Sequence, residues 1–156
     1  MFREMRRNDK AKTAEDSVKI LKECSNGILS VLGDGGYPYG VPVSYVYYDD
    51  RIYFHCATEG HKLDAISKYS KVSFCVVGAD NIDQEKITSI YKSVICFGKA
   101  RMVNTDEEKR SALVAMLNKY HYDVIPAGMK YIENAWNQCH IVAIDIEHMT
   151  GKGLEK

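Results

Sequence analysis

Residues 28–56 read ILSVLGDGGYPYGVPVSYVYYDDRIYFHC, and this stretch decides the fold. Ile28 to Leu32 is an apolar run of strand length, and Gly33-Asp34-Gly35-Gly36 is a turn. Tyr37 to Tyr48 then forms a longer strand, with Val41, Val43, Tyr45 and Tyr47 on one face. Asp49-Asp50 is a second two-residue turn, after which Arg51 to Cys56 returns as a strand. Three consecutive antiparallel strands are expected. Pro42 cannot donate a ladder hydrogen bond, so it marks an edge, a bulge, or a place where the backbone faces something other than a neighbouring strand.

On the N-terminal side, Thr13 with Asp16 resembles a capping box and opens a helix with Val18, Ile20 and Leu21 as its apolar stripe, closed by Asn26-Gly27. On the C-terminal side, Gly60 to Tyr69 carries Leu63 and Ile66 at helical spacing, and Val72 to Val77 is a strand apolar on both faces, hence buried. Residues 79–89 are polar and aperiodic and read as a loop. Tyr91 to Val103 is the longest β-type run, with Gly98 as a bend or close-approach point. Thr105 with Glu108 opens a helix along Leu113, Met116, Leu117 and Tyr120. After a loop holding Pro126 and Gly128, one helical face carries Met129, Ile132, Trp136 and Cys139, which reads as core or interface. Ile141 to Ile146 is a sixth strand before a Gly151-Lys152-Gly153 tail. The order predicts an α+β protein: a six-stranded antiparallel barrel, closed or partly closed, with flanking helices, in one domain over 1–156.

Composition removes several functions. The 21 basic residues cancel the 21 acidic ones, which argues against a sequence-wide basic surface for nucleic acid or anionic membrane. No stretch approaches the roughly 20 apolar residues of a membrane span. Cysteines at 24, 56, 75, 96 and 139 have no CxxC spacing, and their odd number fits a reducing cytoplasm, with Cys75 and Cys96 as small apolar strand residues. A soluble, cytoplasmic protein is expected. Histidines 55, 61, 121, 140 and 148 do not pair at ligand spacing, so no metal site is predicted. GxSxG, HExxH and GxxxxGK[ST] are all missing, and no catalytic acid or base is nominated.

One segment suits an anion. Tyr53-Phe54-His55-Cys56-Ala57-Thr58-Glu59-Gly60-His61-Lys62 is a strand end turning straight into a helix N-terminus, where unpartnered N–H groups meet a phosphate and Gly60 allows close approach. His61 and Lys62 either add side-chain donors to that phosphate or are an ordinary helix-start histidine and a solvated lysine. Ser44 and Ser93 are polar within apolar strands and either meet a ligand or bond a neighbouring carbonyl or water.

The run GVPVSYVYYDDRIYFHCATEGHKLDAI, residues 40–66, resembles the flavin-binding core of the pyridoxamine 5′-phosphate oxidase-like split barrels. FREMRR, the glycine-rich hairpin before PVSY, the GHK helix start and the strand YKSVICFGKARMV are similar to the nitroimidazole-resistance branch. The resemblance implies FMN as cofactor, with Val41, Pro42, Val43, Ser44 and Tyr45 along the isoalloxazine and ribityl chain. It further places His55, Cys56 and Ala57 beside the cofactor, His61 and Lys62 on its phosphate, and Ser93 reaching the flavin from a partner subunit, in a homodimer with its sites at the interface. Where the oxidase itself carries arginine and lysine at the phosphate, this chain has His61 and Lys62, and Gly40 and Tyr45 stand where the oxidase has basic residues toward its substrate. The implied activity is therefore a flavin-dependent reductase of nitro or quinone-like compounds with a small-molecule electron donor. The rivals are a flavin carrier or redox sensor, a haem-binding barrel with His55, His61 or His121 as ligand, and a scaffold without cofactor.

Overall fold

The computed structural model describes residues 1–154. In chain order the elements are β1 (Ala11–Lys12), α1 (Ala14–Glu23), β2 (Asn26–Leu32), β3 (Pro38–Ser44), β4 (Val46–Tyr48), β5 (Arg51–Cys56), α2 (His61–Lys68), β6 (Lys71–Asp83), β7 (Thr88–Met102), α3 (Asp106–Tyr120), α4 (Ile125–Ala135) and β8 (His140–Leu154). All strands join one antiparallel sheet in the order β3-β2-β6-β7-β8-β5-β4, with β1 also paired to β8. The architecture is the expected α+β split barrel, with eight strands rather than six.

The extra strands have identifiable causes. Tyr37–Tyr48 breaks at Tyr45: β3 pairs with β2 and β4 with β5, so the expected third strand forms no ladder with β3 and instead pairs with β4 and β8. Because β3 and β4 lie at opposite ends of the sheet order, Tyr45 alone joins the two edges of the curled sheet. Its ring is fully buried edge-on to Phe74 at 4.9 Å, and its hydroxyl donates to the Leu21 carbonyl at 2.6 Å. Its backbone has left both ladders and is met by the last turn of α3 instead. The Tyr45 N–H donates to the Tyr120 hydroxyl (3.0 Å), whose own proton is shared between the carbonyls of Tyr45 (2.5 Å) and Ser25. Lys119 donates to the carbonyls of Cys24 (2.5 Å) and Tyr45 (3.0 Å), and its burial there pushes its pKa down to about 8.

Three other expectations are corrected. Residues 79–89 are not a loop: β6 and β7 continue through them as a hairpin arm that exposes Ile82 and Ile87. Helix α1 ends at Glu23, and Asn26-Gly27 already belongs to β2. The Gly151-Lys152-Gly153 segment is no tail, because β8 runs to Leu154 and pairs there with both β1 and β7. At the bend in β7, a Cβ on Gly98 would run into the Asp145 carbonyl, which is the close approach expected of that glycine. Helix α4 stops at Ala135, so Trp136 leaves the Ile132 face and packs under Lys109 and Arg110 at 4.6 and 5.0 Å.

The barrel interior is filled by Leu29, Val31, Phe54, Phe74, Val76, Val94, Cys96 and Ile144, with Ile20 and Leu21 of α1 and Ala65 and Ile66 of α2 closing it. Burial raises the Cys96 thiol to about 12, in keeping with a small apolar role. Helix α3 covers the outer face of β4, β5 and β8 through Ala112 and Met116. No helix among the described residues is long and apolar enough to cross a membrane. Elsewhere the outer face stays open. One row across five strands reads Pro42, Ile28, Cys75, Ile95 and Thr150, and Ile28 and Ile95 are each 39% exposed although they sit mid-sheet.

Under α3, Arg101 bridges two carboxylates, donating to Asp145 (2.8 Å) and, bidentately, to Glu108 (2.7 and 2.9 Å). Arg51 also donates to Asp145 (2.7 Å) and Tyr53 to Glu108 (2.9 Å). Hydrogen bonding from Arg101 holds both carboxyls below their ordinary range. Their contribution is thus present above the unfolded carboxylate pKa and lost as pH falls through the depressed folded values. Arg101→Met is expected to cost about 1.5 kcal/mol at pH 7, allowing for solvent screening of a partly exposed group. That cost shrinks toward zero at acid pH, where the carboxyls are protonated. Urea midpoints at several pH values check this.

Candidate functional site

The site is built at the start of α2. Gly60 has φ +142°, a backbone conformation that favours glycine, and its carbonyl accepts from the N–H groups of Leu63 (3.0 Å) and Asp64 (3.1 Å). No side chain caps this terminus, and among the described residues the N–H groups of His61 and Lys62 have no protein acceptor. A helix start with two free donors and a positive dipole end fits a phosphate group. Lys62 is half-buried beside it, and its ammonium counteracts the burial that raises the Cys56 thiol.

His61, expected either as a phosphate donor or as an ordinary helix-start histidine, spends one ring nitrogen within the protein. Its Nε2 accepts the Asp34 N–H at 3.2 Å, so that nitrogen carries no proton and only Nδ1 can donate. The ring packs on Tyr39 at 4.3 Å, and the Asp34 carboxylate, 3.8 Å from Nε2, also meets Lys68 at 3.6 Å. His61 therefore ties the 33–37 turn and the β3 strand to the start of α2. Tyr39 and Asp34 belong to this arrangement and carry no sequence signal of their own, because the contact spans 27 residues.

Strand β3 pairs on one side only, so its other edge is free backbone, which realises the edge reading of Pro42. Val41 and Val43 face the core, while Pro42 and Ser44 are exposed on the outer face. Tyr45 is spent on the core and corner, and its ring is closed to any ligand. At the end of β5, Cys56 points inward, with its sulfur 3.8 Å from the His140 carbonyl, and Ala57 follows exposed. His55 is exposed on the opposite face, in register with Ile141. The start of α2 thus meets β3 where His61 packs on Tyr39, and Lys62 lies near Cys56 at the end of β5. Ser93 lies apart, on the outer face of β7, with β2 and β6 between it and β3. Three strand spacings separate β3 from β7 within one copy, about 14 Å.

Comparison with known proteins adds the following. The profile of the family described as pyridoxamine 5′-phosphate oxidase matches residues 13–153. No curated protein matches the chain. Among solved structures, a candidate 5-nitroimidazole antibiotic resistance protein from Bacteroides thetaiotaomicron superposes with a TM-score of 0.76 at 22% identity, covering 90% of this chain and 84% of that one. A conserved hypothetical protein from Mycobacterium tuberculosis superposes at 0.83 with 17% identity, covering 96% and 90%. The FAD and heme binding protein from Mycobacterium smegmatis superposes at 0.77 with 18% identity, covering 94% and 74%. At these identities the likeness is one of fold.

Proposed function

Because the chain belongs to the pyridoxamine 5′-phosphate oxidase family, we propose that it binds FMN at the corner between β3 and α2 and serves as a flavin-dependent reductase of small nitro or quinone-like compounds. The observation that carries this reading is the uncapped α2 start beside the free edge of β3. The N–H groups of His61 and Lys62 and the Lys62 ammonium hold the phosphate, a donor set sized for one phosphate group. The backbone of Val41 to Ser44 lies along the ring system, with Pro42 removing one donor from that edge. Cys56 and Ala57 bound the cofactor from β5, and His61 adds its Nδ1 donor. The flavin, when bound, supplies the electron transfer, and the chain supplies binding, orientation and access.

The proposed unit is a homodimer. The exposed apolar row from Pro42 to Ile95 supports a second copy seated on the outer sheet face, from which the partner's Ser93 reaches the flavin. His55, on the opposite face of β5 from Cys56, is then a surface residue rather than a cofactor contact. Purified protein is expected to elute at twice the chain's mass, to show flavin absorbance, and to bleach with NADH or NADPH under anaerobic conditions. A Soret band would assign haem instead, a flavin inert to both nucleotides would assign a carrier, and a colourless protein that takes up no added FMN would overturn the reading.

A further inference from the structure

The turn between β2 and β3 is pressed onto the start of α2, and Asp34 makes the polar contact. A Cβ on Gly33 would come within 2.9 Å of the Tyr39 Cβ and 3.3 Å of His61 Nε2, so the turn has little slack above the imidazole. Asp34 then meets that nitrogen in two ways. Its backbone N–H donates to Nε2 at 3.2 Å, while one carboxylate oxygen stands 3.8 Å from Nε2 and the other 3.6 Å from the Lys68 ammonium. The ring's other neighbour is Tyr39, at 4.3 Å and 31° between ring planes. Glu59 and Lys62 flank His61 in the chain, and among the described residues Asp34 supplies the one carboxylate within 4 Å of it.

One residue therefore offers both a donor and an acceptor to the same ring nitrogen. The N–H suits a neutral imidazole and fixes its proton on Nδ1; the carboxylate suits a protonated one and receives the proton on Nε2. A histidine held by an N–H alone loses that bond on taking a proton and leaves two donors face to face. Here a small shift of the turn exchanges one partner for the other, and Nδ1 remains a donor in both states. We infer that Asp34 is a positioning residue for the phosphate end of the cofactor: it keeps the His61 Nδ1–H as a donor and lets His61 add a positive charge to the site as pH falls. The inference rests on the FMN reading above. Both side chains are partly open to water, Asp34 at 77% and His61 at 38%, so the added charge changes affinity by a few fold rather than by orders of magnitude.

FMN and riboflavin, which lacks the phosphate, are titrated into the full chain by fluorescence at about pH 8 and about pH 5.5, on either side of the range in which histidine charges. The quantity read is the ratio of the two FMN dissociation constants, normalised to riboflavin. The phosphate takes up its own second proton in the same range, which acts equally on every variant. Against His61→Gln, which can donate but cannot charge, the parent is expected to gain about fivefold toward acid pH. Asp34→Asn keeps the backbone N–H but loses the carboxylate, and its gain should fall to about twofold. A merely structural Asp34 would move both dissociation constants together and leave the ratio as it is. Nitrogen NMR of the flavin-free chain reads the tautomer directly, and at about pH 8 Nε2 of His61 is expected without a proton in the parent and in Asp34→Asn alike. A parent ratio equal to that of His61→Gln, an Asp34→Asn ratio equal to the parent's, or a proton on Nε2 at the alkaline pH would overturn the inference. FMN binding with an unmoved ratio sinks only the role of Asp34, whereas no flavin uptake at either pH sinks the cofactor reading and this inference with it.

Discussion

Tyr120→Phe is expected to destabilise the fold by about 2 kcal/mol, chiefly the cost of leaving the buried Tyr45 N–H without a partner, since the Tyr45 carbonyl keeps Lys119 and Ser25 is exposed. A single hydroxyl serves three groups at the barrel corner: the Tyr45 N–H, which donates to it, and the carbonyls of Tyr45 and Ser25. Phenylalanine keeps the ring and its packing but removes every one of those bonds. Water cannot easily take the place of the hydroxyl, since Tyr45 is fully buried and Lys119 occupies the adjacent space. In a chain of this length, that loss lowers the melting temperature by about 4 to 8 °C. Tyr131→Phe is the control, because that ring is 73% exposed and its hydroxyl makes no bond among the described residues. A loss below about 1 kcal/mol for Tyr120→Phe would mean that the corner is held by core packing around Tyr45 instead.

The second large effect concerns the cofactor. Lys62→Ala is expected to weaken FMN binding by about 2 kcal/mol, roughly thirtyfold, as expected for a charge-assisted hydrogen bond to a phosphate. His61→Ala should behave differently, because the imidazole spends Nε2 on the Asp34 N–H and packs on Tyr39. Its removal frees the 33–37 turn, so a loss of thermal stability accompanies a smaller loss of affinity. Flavin fluorescence quenching gives both dissociation constants and calorimetry gives the melting temperatures. Were His61→Ala to cost more affinity than Lys62→Ala with the melting temperature unchanged, the imidazole rather than the ammonium would hold the phosphate.

Local signals in the sequence were legible where the chemistry was local. Thr13 and Thr105 cap their helices as their spacing indicates, each accepting the N–H three residues on. Yet Glu108, the acidic half of the second box, does not fold back on its own helix; it pairs with Arg101 and Tyr53, which no local pattern announces. The β6–β7 arm was missed because both of its faces meet solvent, which erases the alternation that marks a half-buried strand. Lys119 and Tyr120 read as the ordinary polar end of an amphipathic helix, and their task at the corner depends on a residue 75 positions away. The same holds for the site. Gly60-His61-Lys62 was visible as a helix start able to meet an anion, whereas the engagement of Nε2 by Asp34 follows only from how the first hairpin lies on α2.

Strand β8 pairs with β1, β5 and β7, and it follows all three in the chain. On the ribosome, the β2–β3 and β4–β5 hairpins and the β6–β7 arm can form as they emerge, since each closes between neighbours. Their union cannot, because the strand that joins β5 to β7 has not yet been made. Until residue 154 clears the exit tunnel, a nascent chain carries β5 and β7 with unpaired edges, which are templates for pairing with other chains. Chaperone dependence during synthesis should therefore track delivery of this one strand, and a pause in translation just before His140 should be the costliest place to stall.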